Sequence, residues 1–520
     1  MATGTIAVKS GKQTSSPLAN SSGMHAGICL ITAAALLFFA DGRNTIALAA
    51  WLAPMFLLRF VRSQTAKLGL LVAYLVIAVT RGISMRGMIP IPGIFYFIFL
   101  LISSVSALFP YIADRLLARR LTGVISTLIF PCTLVTAQFI YSHGPLGSWG
   151  SIPYTQSGNL PLLQLLSVTG LWGITFLIGW FASTVNWTWQ EYGLRPSVEV
   201  WRPLGSFSFV FVLVILLGGA RLALFPAASP SVRVASLSPA KSGEKISSDL
   251  SDAVIHGKGT VAQIAQFRKA AADGQDELFA RSEREAEAGA KIVFWSETAS
   301  YVLKSDEPAL VSRGQSLALK EHIYLGLALG TWTPEAAKPL ENKFIYITPS
   351  GEIAWEYLKA RPTPGPELSG SVKADGKLRE LASPYGKLSA AICYDMDFPS
   401  LVAQAGKFPT DIMLSPAADW KAIDPRHTEI SSFRAIEQGF NLVRQSNGGL
   451  SAAYDYQGHR LAAMDQYQSD DLTLVAEVPT RGTRTIYSVA GDWFAFLSIA
   501  ALAALVALAL RKPGVRFSHT

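Results

Sequence analysis

The chain has 520 residues, half of them apolar and only 16% charged, against roughly a quarter charged in an ordinary globular protein. That balance excludes disorder and argues against a purely soluble protein. The net charge of +8 would suit nucleic acid or an anionic membrane face, but it divides unevenly: residues 232–488 carry 28 Lys+Arg and 32 Asp+Glu, a net of −4, and the rest carries 17 and 5, a net of +12. Positive charge that follows the apolar flanks is the mark of membrane topology and not of a nucleic-acid surface.

The first 25 residues are polar and read as a loose tail, with Lys9 and Lys12. Seven apolar stretches follow, at about 26–40, 44–61, 66–80, 88–113, 121–142, 161–187 and 205–224, and a last one lies near 491–510. Several are shorter than the roughly 20 residues of an ideal span, so the first three could be closely spaced spans or partly re-entrant pairs. A signal peptide is disfavoured, since no A-x-A site follows Phe39 and Ala40. The expectation is a polytopic α-helical membrane protein of about eight spans. Its parts are a tail 1–25, a membrane domain 26–224, a polar domain 232–488, a last span 489–510 and a tail 511–520.

Orientation follows from the short loops. One side collects Lys9, Lys12, Arg59, Arg62, Lys67, Arg115, Arg119, Arg120, Arg195, Arg202, Arg511, Lys512 and Arg516; the other has Arg43, Arg81, Arg86 and Arg221. Both termini are therefore expected in the cytoplasm, and 232–488 outside.

The polar region alternates strand-like apolar runs with helical patterns, as an α/β layered fold requires. Strands are expected at Val232–Ala235, Ile292–Trp295, Ile323–Gly326, Phe344–Ile347, Leu388–Ile392 and Asp411–Leu414, and helices over 261–289 and 428–439. No internal repeat is evident.

Of the three cysteines, Cys29 and Cys132 fall in apolar stretches and read as small core residues. Cys393 is alone in the polar region, so that region cannot close an internal disulfide. By itself a lone cysteine is usually buried filler. Its place argues otherwise, since it ends the run Ala390-Ala391-Ile392 and precedes the polar turn Tyr394-Asp395-Met396-Asp397, where a nucleophile would stand. His256, His322, His427 and His459 sit in no recognisable strand-end motif and read as surface or satisfied histidines. No HExxH or CxxC is present, so no metal is expected, and no cofactor is implied. Glu297 ends the run Ile292–Ser296, and Lys359 ends Ile353–Leu358 ahead of the rigid loop Pro362–Glu367. Singly each is an ordinary solvated end residue; with Cys393 they make a base, a cation and a nucleophile.

These residues resemble the nitrilase superfamily of carbon–nitrogen hydrolases, with its Glu-Lys-Cys set, and Cys393-Tyr394-Asp395-x-x-Phe398-Pro399 looks like its nucleophile turn. The similarity extends into the membrane. Gly147-x-Trp149, Pro161-Leu162-x-Gln164, Gly170-x-x-Gly173-x-x-Phe176-Leu177, Arg434–Gly439, Arg444-x-x-Asn447-x-Gly449-x-Ser451 and Thr485-x-Tyr487-x-x-x-Gly491-Asp492 resemble the bacterial apolipoprotein N-acyltransferase family. The family's Trp-Pro-Glu is here Trp295-Ser296-Glu297, and its Gln-Gly-Asn start is Ser236-Leu237-Ser238-Pro239. Its Leu-Val-Pro-Phe-Gly-Glu loop keeps only Pro364 and Glu367, and its Asn-Asp-x-Trp is Ala418-Asp419-Trp420 preceded by Pro416-Ala417.

The resemblance implies an αββα nitrilase-like domain on the periplasmic side of a bacterial inner membrane. It implies transfer of an acyl chain from a phospholipid to the N-terminal amine of a diacylglyceryl-cysteine lipoprotein, through a thioacyl-enzyme on Cys393. Lys359 would favour the thiolate and steady the oxyanion, and Glu297 would move the protons. Glu367 would position Lys359 or the acceptor amine, with Tyr394 and Asp395 beside the nucleophile. Trp149, Ile152 and Tyr154 would help cover the site. A membrane-anchored amidase, in which water takes the thioester, uses the same set and remains the alternative. A transporter or receptor is disfavoured by the few ionisable residues at mid-span.

Overall fold

The computed structural model describes residues 17–91, 93–194, 197–241 and 248–511. The expected tail residues Lys9, Lys12, Lys512 and Arg516, and Arg195, lie outside them. Helices cover Pro17–Ala40, Ala47–Ser63, Ala66–Ser84, Ile94–Leu117, Ile129–Ser142, Leu171–Leu194, Arg202–Leu224 and Trp493–Arg511. Among the described residues, five helical segments are long and apolar enough to cross a membrane: Ala66–Ser84, Ile94–Arg120, Gly123–Ser142, Val198–Leu224 and Trp493–Arg511. Their outer faces are apolar. On Ala66–Ser84, Leu71, Leu75 and Val79 are all exposed at four-residue spacing, a stripe that suits hydrocarbon and not water.

The apolar stretch 161–187 is not one straight helix. Leu160–Thr169 and Leu171–Gly193 meet at an angle of 117°. The break is Gly170, with φ +62°, a left-handed conformation that glycine adopts without penalty. A Cβ at this position would run into the Tyr487 ring, so the bend also seats the approach to the last helix.

Between Arg202–Leu224 and Trp493–Arg511 lies an α/β domain. Its strands, among the described residues, are β1 (Ser231–Leu237), β2 (Ile292–Trp295), β3 (Ser300–Leu303), β4 (Tyr324–Trp332), β5 (Leu340–Ile347), β6 (Ile353–Leu358), β7 (Glu380–Ser383), β8 (Gly386–Ala390), β9 (Ile412–Ala418), β10 (Asn441–Asn447), β11 (Leu450–Tyr454), β12 (Arg460–Asp465) and β13 (Thr473–Pro479). One sheet has the order β13-β1-β2-β4-β5-β6 with β3 beside β4, and the other β12-β11-β10-β9-β8-β7. β1 and β13 pair antiparallel, Ser231 opposite Pro479, so the domain leaves and rejoins the helical region at one place.

Alternation along the strands builds the layers. Val232, Val234, Ile292, Phe294, Phe344 and Tyr346 share a core with residues of the second sheet. The intervening Ala235, Val293, Trp295, Leu325 and Ile345 pack with Leu278, Phe279, Leu310 and Val311 of the helices Val261–Glu287 and Glu307–Glu321. On the far side Pro399–Lys407 and Arg426–Gln438 contribute Leu401, Val402, Ile430 and Phe433. Helices thus flank two facing sheets.

The domain also grips the helical region. Ser148 donates both its N–H and its hydroxyl to the Asp397 carbonyl, each at 2.7 Å. Tyr394 donates to the Pro145 carbonyl (3.0 Å), and the Trp420 indole to that of Gly87 (2.7 Å). Gly147 has φ +56°, and a Cβ there would overlap the same Asp397 carbonyl oxygen. Gly147→Ala is therefore expected to displace the turn that carries Cys393, costing about 1–3 kcal/mol of stability. Thermal unfolding checks it; an unchanged midpoint would show that this loop does not set the turn.

Candidate active site

Glu297 leaves the C-terminal end of β2, Lys359 that of β6, and Cys393 follows β8 by two residues. Packing of the sheets brings these ends together. The Lys359 Nζ donates to Glu297 Oε1 at 2.7 Å and to both oxygens of Glu367 at 2.9 and 2.8 Å. Asn342 Nδ2 donates to the same two carboxylates, at 2.7 Å to Glu297 and 2.8 Å to Glu367. The Ala418 N–H, at the end of β9, donates to Glu297 Oε2 at 2.8 Å, so one carboxylate joins the two sheets. Thr363 N–H holds Glu367 Oε2 at 2.8 Å.

Cys393 opens the short 3₁₀ turn Cys393–Asp397 with φ +48°, a strained value for a residue bearing a Cβ. The thiol is 4% exposed, and Sγ donates weakly to the Ala418 carbonyl at 3.7 Å. Asp395 staples this turn to the lysine loop. It accepts from Ile392 N–H (3.0 Å), the Tyr357 hydroxyl (2.7 Å), Ala360 N–H (3.4 Å) and Arg361 N–H (2.7 Å). Burial pushes its carboxyl up to about 7, against those donors and the Lys359 charge.

Lys359 pulls Cys393 toward the thiolate, in the expected direction, but other forces outweigh it. Burial would lower the Lys359 ammonium, but Glu297, Cys393 and Glu367 raise it well above its ordinary range, so it is a fixed cation. Against the upward push of burial, Lys359 holds Glu367 below the usual carboxylate value. Its charge is thus committed to two carboxylates. Burial first, and then the Glu297 charge, push the Cys393 thiol well above the ordinary value, and Lys359 offsets this only in part. Cys393 is held as a thiol and not as a thiolate. Its alkylation by iodoacetamide is expected to rise about tenfold per pH unit from pH 7 to 9 without a plateau. Glu297→Gln should speed alkylation at pH 8. A plateau below pH 8 in the unsubstituted protein would contradict this.

Behind the nucleophile is a cluster that sequence reading passed over. His427 is no surface residue: it is 3% exposed, with Nδ1 2.6 Å from Asp419 and Nε2 3.0 Å from Asp397. Burial and the Arg444 charge push the imidazole down, but Asp397 and Asp419 outweigh them and raise it to about 9. Arg444 Nη2 donates to both oxygens of Asp419 (2.9 and 3.0 Å). Atoms of Cys393, Asp419 and His427 lie within 4.8 Å of one another, a donor set in principle open to a soft metal ion, but the oxygens and imidazole nitrogens are already spent on ion pairs. The sequence offered little signal: Asp419 directly follows β9, and His427 stands in the first turn of the helix Arg426–Gln438.

Two spaces flank the triad. A narrow apolar slot of 30 Å³ holds Cys393, Tyr394 and His427 on one wall, and Met88, Ile89, Pro90, Leu146 and Trp149 of the helical region on the other. A larger cavity of 300 Å³ borders Glu297, Asn342, Lys359 and Glu367, with Tyr301, Trp332 and Leu340 on its apolar walls. Trp149 thus lines the same slot as Cys393. Tyr154 is buried instead, bonded to Ser148 (2.6 Å) and Arg434 (3.1 Å), and Ile152 lines a separate space between the helices.

A family model described as the apolipoprotein N-acyltransferase N-terminal domain matches residues 33–184, and one described as carbon-nitrogen hydrolase matches 260–487. The apolipoprotein N-acyltransferase of Geobacter metallireducens is 26% identical over 439 residues, 79% of each chain. That of Gloeobacter violaceus is 28% identical over 440 residues, 78% of this chain and 76% of its own. An amidase structure from Nesterenkonia sp. aligns with 49% of this chain and 92% of its own, with 19% identity and a TM-score of 0.38. Helical region and α/β domain are thus matched in the same order, and two relatives run through both: the chain belongs to the apolipoprotein N-acyltransferase family.

Proposed function

We propose that the protein is an acyltransferase that moves an acyl chain from a membrane phospholipid to the N-terminal amine of a diacylglyceryl-cysteine lipoprotein, with Cys393 as nucleophile, Glu297 as base and Lys359 as the cation beside the oxyanion. One observation carries this reading. The slot that holds Cys393 is apolar, and its second wall comes from Met88, Ile89, Pro90, Leu146 and Trp149 of the helical region. An apolar slot walled by the helical region suits an acyl chain, which loses roughly 0.8 kcal/mol per CH₂ on leaving hydrocarbon for water.

Glu297 takes the thiol proton as sulfur attacks the ester carbonyl; the C–O bond breaks and the lysophospholipid oxygen receives that proton. The product is a thioester on Cys393, so kinetics are ping-pong. Glu367 and Asn342 hold Lys359 and Glu297 in place, and Asp395 holds the nucleophile turn. In this reading the membrane part is 26–224 plus 489–510, about eight spans, with the catalytic domain 232–488 periplasmic and both termini cytoplasmic. The thirteen-to-four bias of Lys and Arg supports that orientation. The decisive assay incubates the protein with labelled phospholipid and a diacylglyceryl peptide. Labelled peptide is expected; release of free fatty acid with no acylated peptide would instead mark a hydrolase.

A further inference from the structure

Two segments fix the nucleophile, and one buried side chain joins them. Asp397 closes the turn Cys393–Asp397. Asp419 follows Ala418, whose carbonyl accepts from Cys393 Sγ and whose N–H donates to Glu297. His427 lies between the two acids, with Nε2 3.0 Å from Asp397 Oδ2 and Nδ1 2.6 Å from Asp419 Oδ1. A carboxylate accepts and has no hydrogen to give, so both ring nitrogens donate and the imidazole is a cation. Arg444 Nη2 also lies 2.9 Å from Nδ1, a like-charge contact that the two acids offset.

The Asp397 side chain is fully buried and held by this cation. Among the described residues His427 is its one hydrogen-bond partner, and its Oδ1 has none. Two acids, Asp397 and Asp419, face two cations, His427 and Arg444, so the cluster is neutral. Without the imidazole proton one buried negative charge is left over, and the Cys393 Sγ stands within 4.8 Å of atoms of Asp419 and His427. Negative charge so near raises a thiol and slows it as a nucleophile. Of the other groups around the imidazole, Tyr394 has its hydroxyl bound to the Pro145 carbonyl, and the Trp149 ring, 5.7 Å away, is neutral.

We propose that His427 is a positioning residue of the acyl-transfer site: as an imidazolium it braces the nucleophile turn against the end of β9, and its charge keeps the two buried acids from suppressing Cys393. This role rests on the acyl-transfer reading above and adds an upper pH limit to that site. Burial and Arg444 press the imidazole down, but Asp397 and Asp419 raise it to about 9. The brace therefore holds at neutral pH and is released as pH rises through that value.

His427→Gln removes the cation. His427→Gln combined with Asp397→Asn removes the cation together with the acid it holds. Alkylation of Cys393 by iodoacetamide, read by peptide mass, is compared across pH. At pH 7.5 the single variant is expected to react about tenfold more slowly than the unsubstituted protein, and the double variant within about threefold of it. From pH 7.5 to pH 10 the ratio of the double variant to the unsubstituted protein is expected to rise about fivefold or more, because only the unsubstituted protein has an imidazolium to lose. A purely structural role would lower the unfolding midpoint and leave that ratio flat, and a flat ratio overturns the proposal. So does a folded single variant that reacts at the parental rate. If the single variant does not fold, the double variant, which leaves no unpaired charge buried, still gives the ratio. Loading of labelled phospholipid by a folded single variant is expected to fall at least about tenfold in kcat; parental loading also overturns the role. Failure of the unsubstituted protein to load at all refutes the acyl-transfer reading and leaves the alkylation ratio standing, which is a different result.

Discussion

Cys393→Ala is expected to lower acyl transfer by at least about 10⁴-fold and to abolish the labelled thioacyl-enzyme, with insertion and folding intact. The loss is this large because no other group can carry the acyl chain: among the described residues the remaining cysteines, Cys29 and Cys132, are buried in helices of the other domain. The structural cost is small by contrast. The thiol makes one weak hydrogen bond, 3.7 Å long, and sits beside a slot that already contains free space. Losing one buried atom the size of a methyl group is worth about 1 kcal/mol. Cys393→Ser should also fail to turn over, because its oxyester is a poorer leaving group and its hydroxyl a weaker nucleophile. Detergent-solubilised protein, gel detection of the labelled intermediate and a thermal unfolding curve separate the two effects. Normal transfer by the folded alanine variant would remove Cys393 from the chemistry.

Lys359→Met is the second large effect, and it differs in kind because it damages stability as well as rate. Its ammonium donates at 2.7 to 2.9 Å to two carboxylates that have no other cation. Removing one partner of a buried ion pair costs about 3–5 kcal/mol, since the remaining charges stay buried and unpaired. Glu297 and Glu367 would then keep only neutral donors, Asn342 and the Ala418 and Thr363 N–H groups, and one of them would hold a proton at neutral pH. The sign of the pH dependence follows. In the unsubstituted protein the Glu367 carboxyl is depressed, so its contribution is present above the unfolded value and is lost as pH falls. In Lys359→Met the shared carboxyl is raised, so stability is retained at low pH and lost as pH rises through the raised value. The variant should therefore unfold closer to the parent at pH 5 than at pH 8, and transfer should fall by roughly 10³-fold or more. Lys359→Arg keeps the charge and should recover part of the stability, but its planar fork cannot occupy the compact site of an ammonium, so little activity should return. A destabilisation of Lys359→Met that does not grow with pH would contradict the unpaired-carboxylate picture.

Strand-end positions explain why the central site was readable. Ile292–Trp295, Ile353–Leu358 and Leu388–Ile392 are short apolar runs, each followed at once by a group able to do chemistry, and that is a local signal. β10 shows the opposite case. Its residues Asn441, Arg444, Gln445 and Ser446 are fully buried yet polar, so a search for apolar runs passes over it. Their partners come from distant strands and loops: Asp419 for Arg444, Ser236 and Ser238 for Gln445. The same holds for Asp395. Its four donors come from the start of its own turn and from the end of β6 and the loop after it, more than 30 residues away, which no spacing rule connects.

The sequence by itself determined the division of charge and apolarity into a membrane part and a polar domain, and the three residues at strand ends, because both are properties of short stretches of chain. Only the tertiary structure decided which way the Cys393 thiol is pushed, since burial and the Glu297 charge outweigh the Lys359 charge that proximity alone would favour. It also decided which walls enclose Cys393: Leu146 and Trp149, nearly 250 residues away in the chain, with Met88 to Pro90 farther still. Desolvation and shape are sums over everything that packs around a group, and no local pattern contains them.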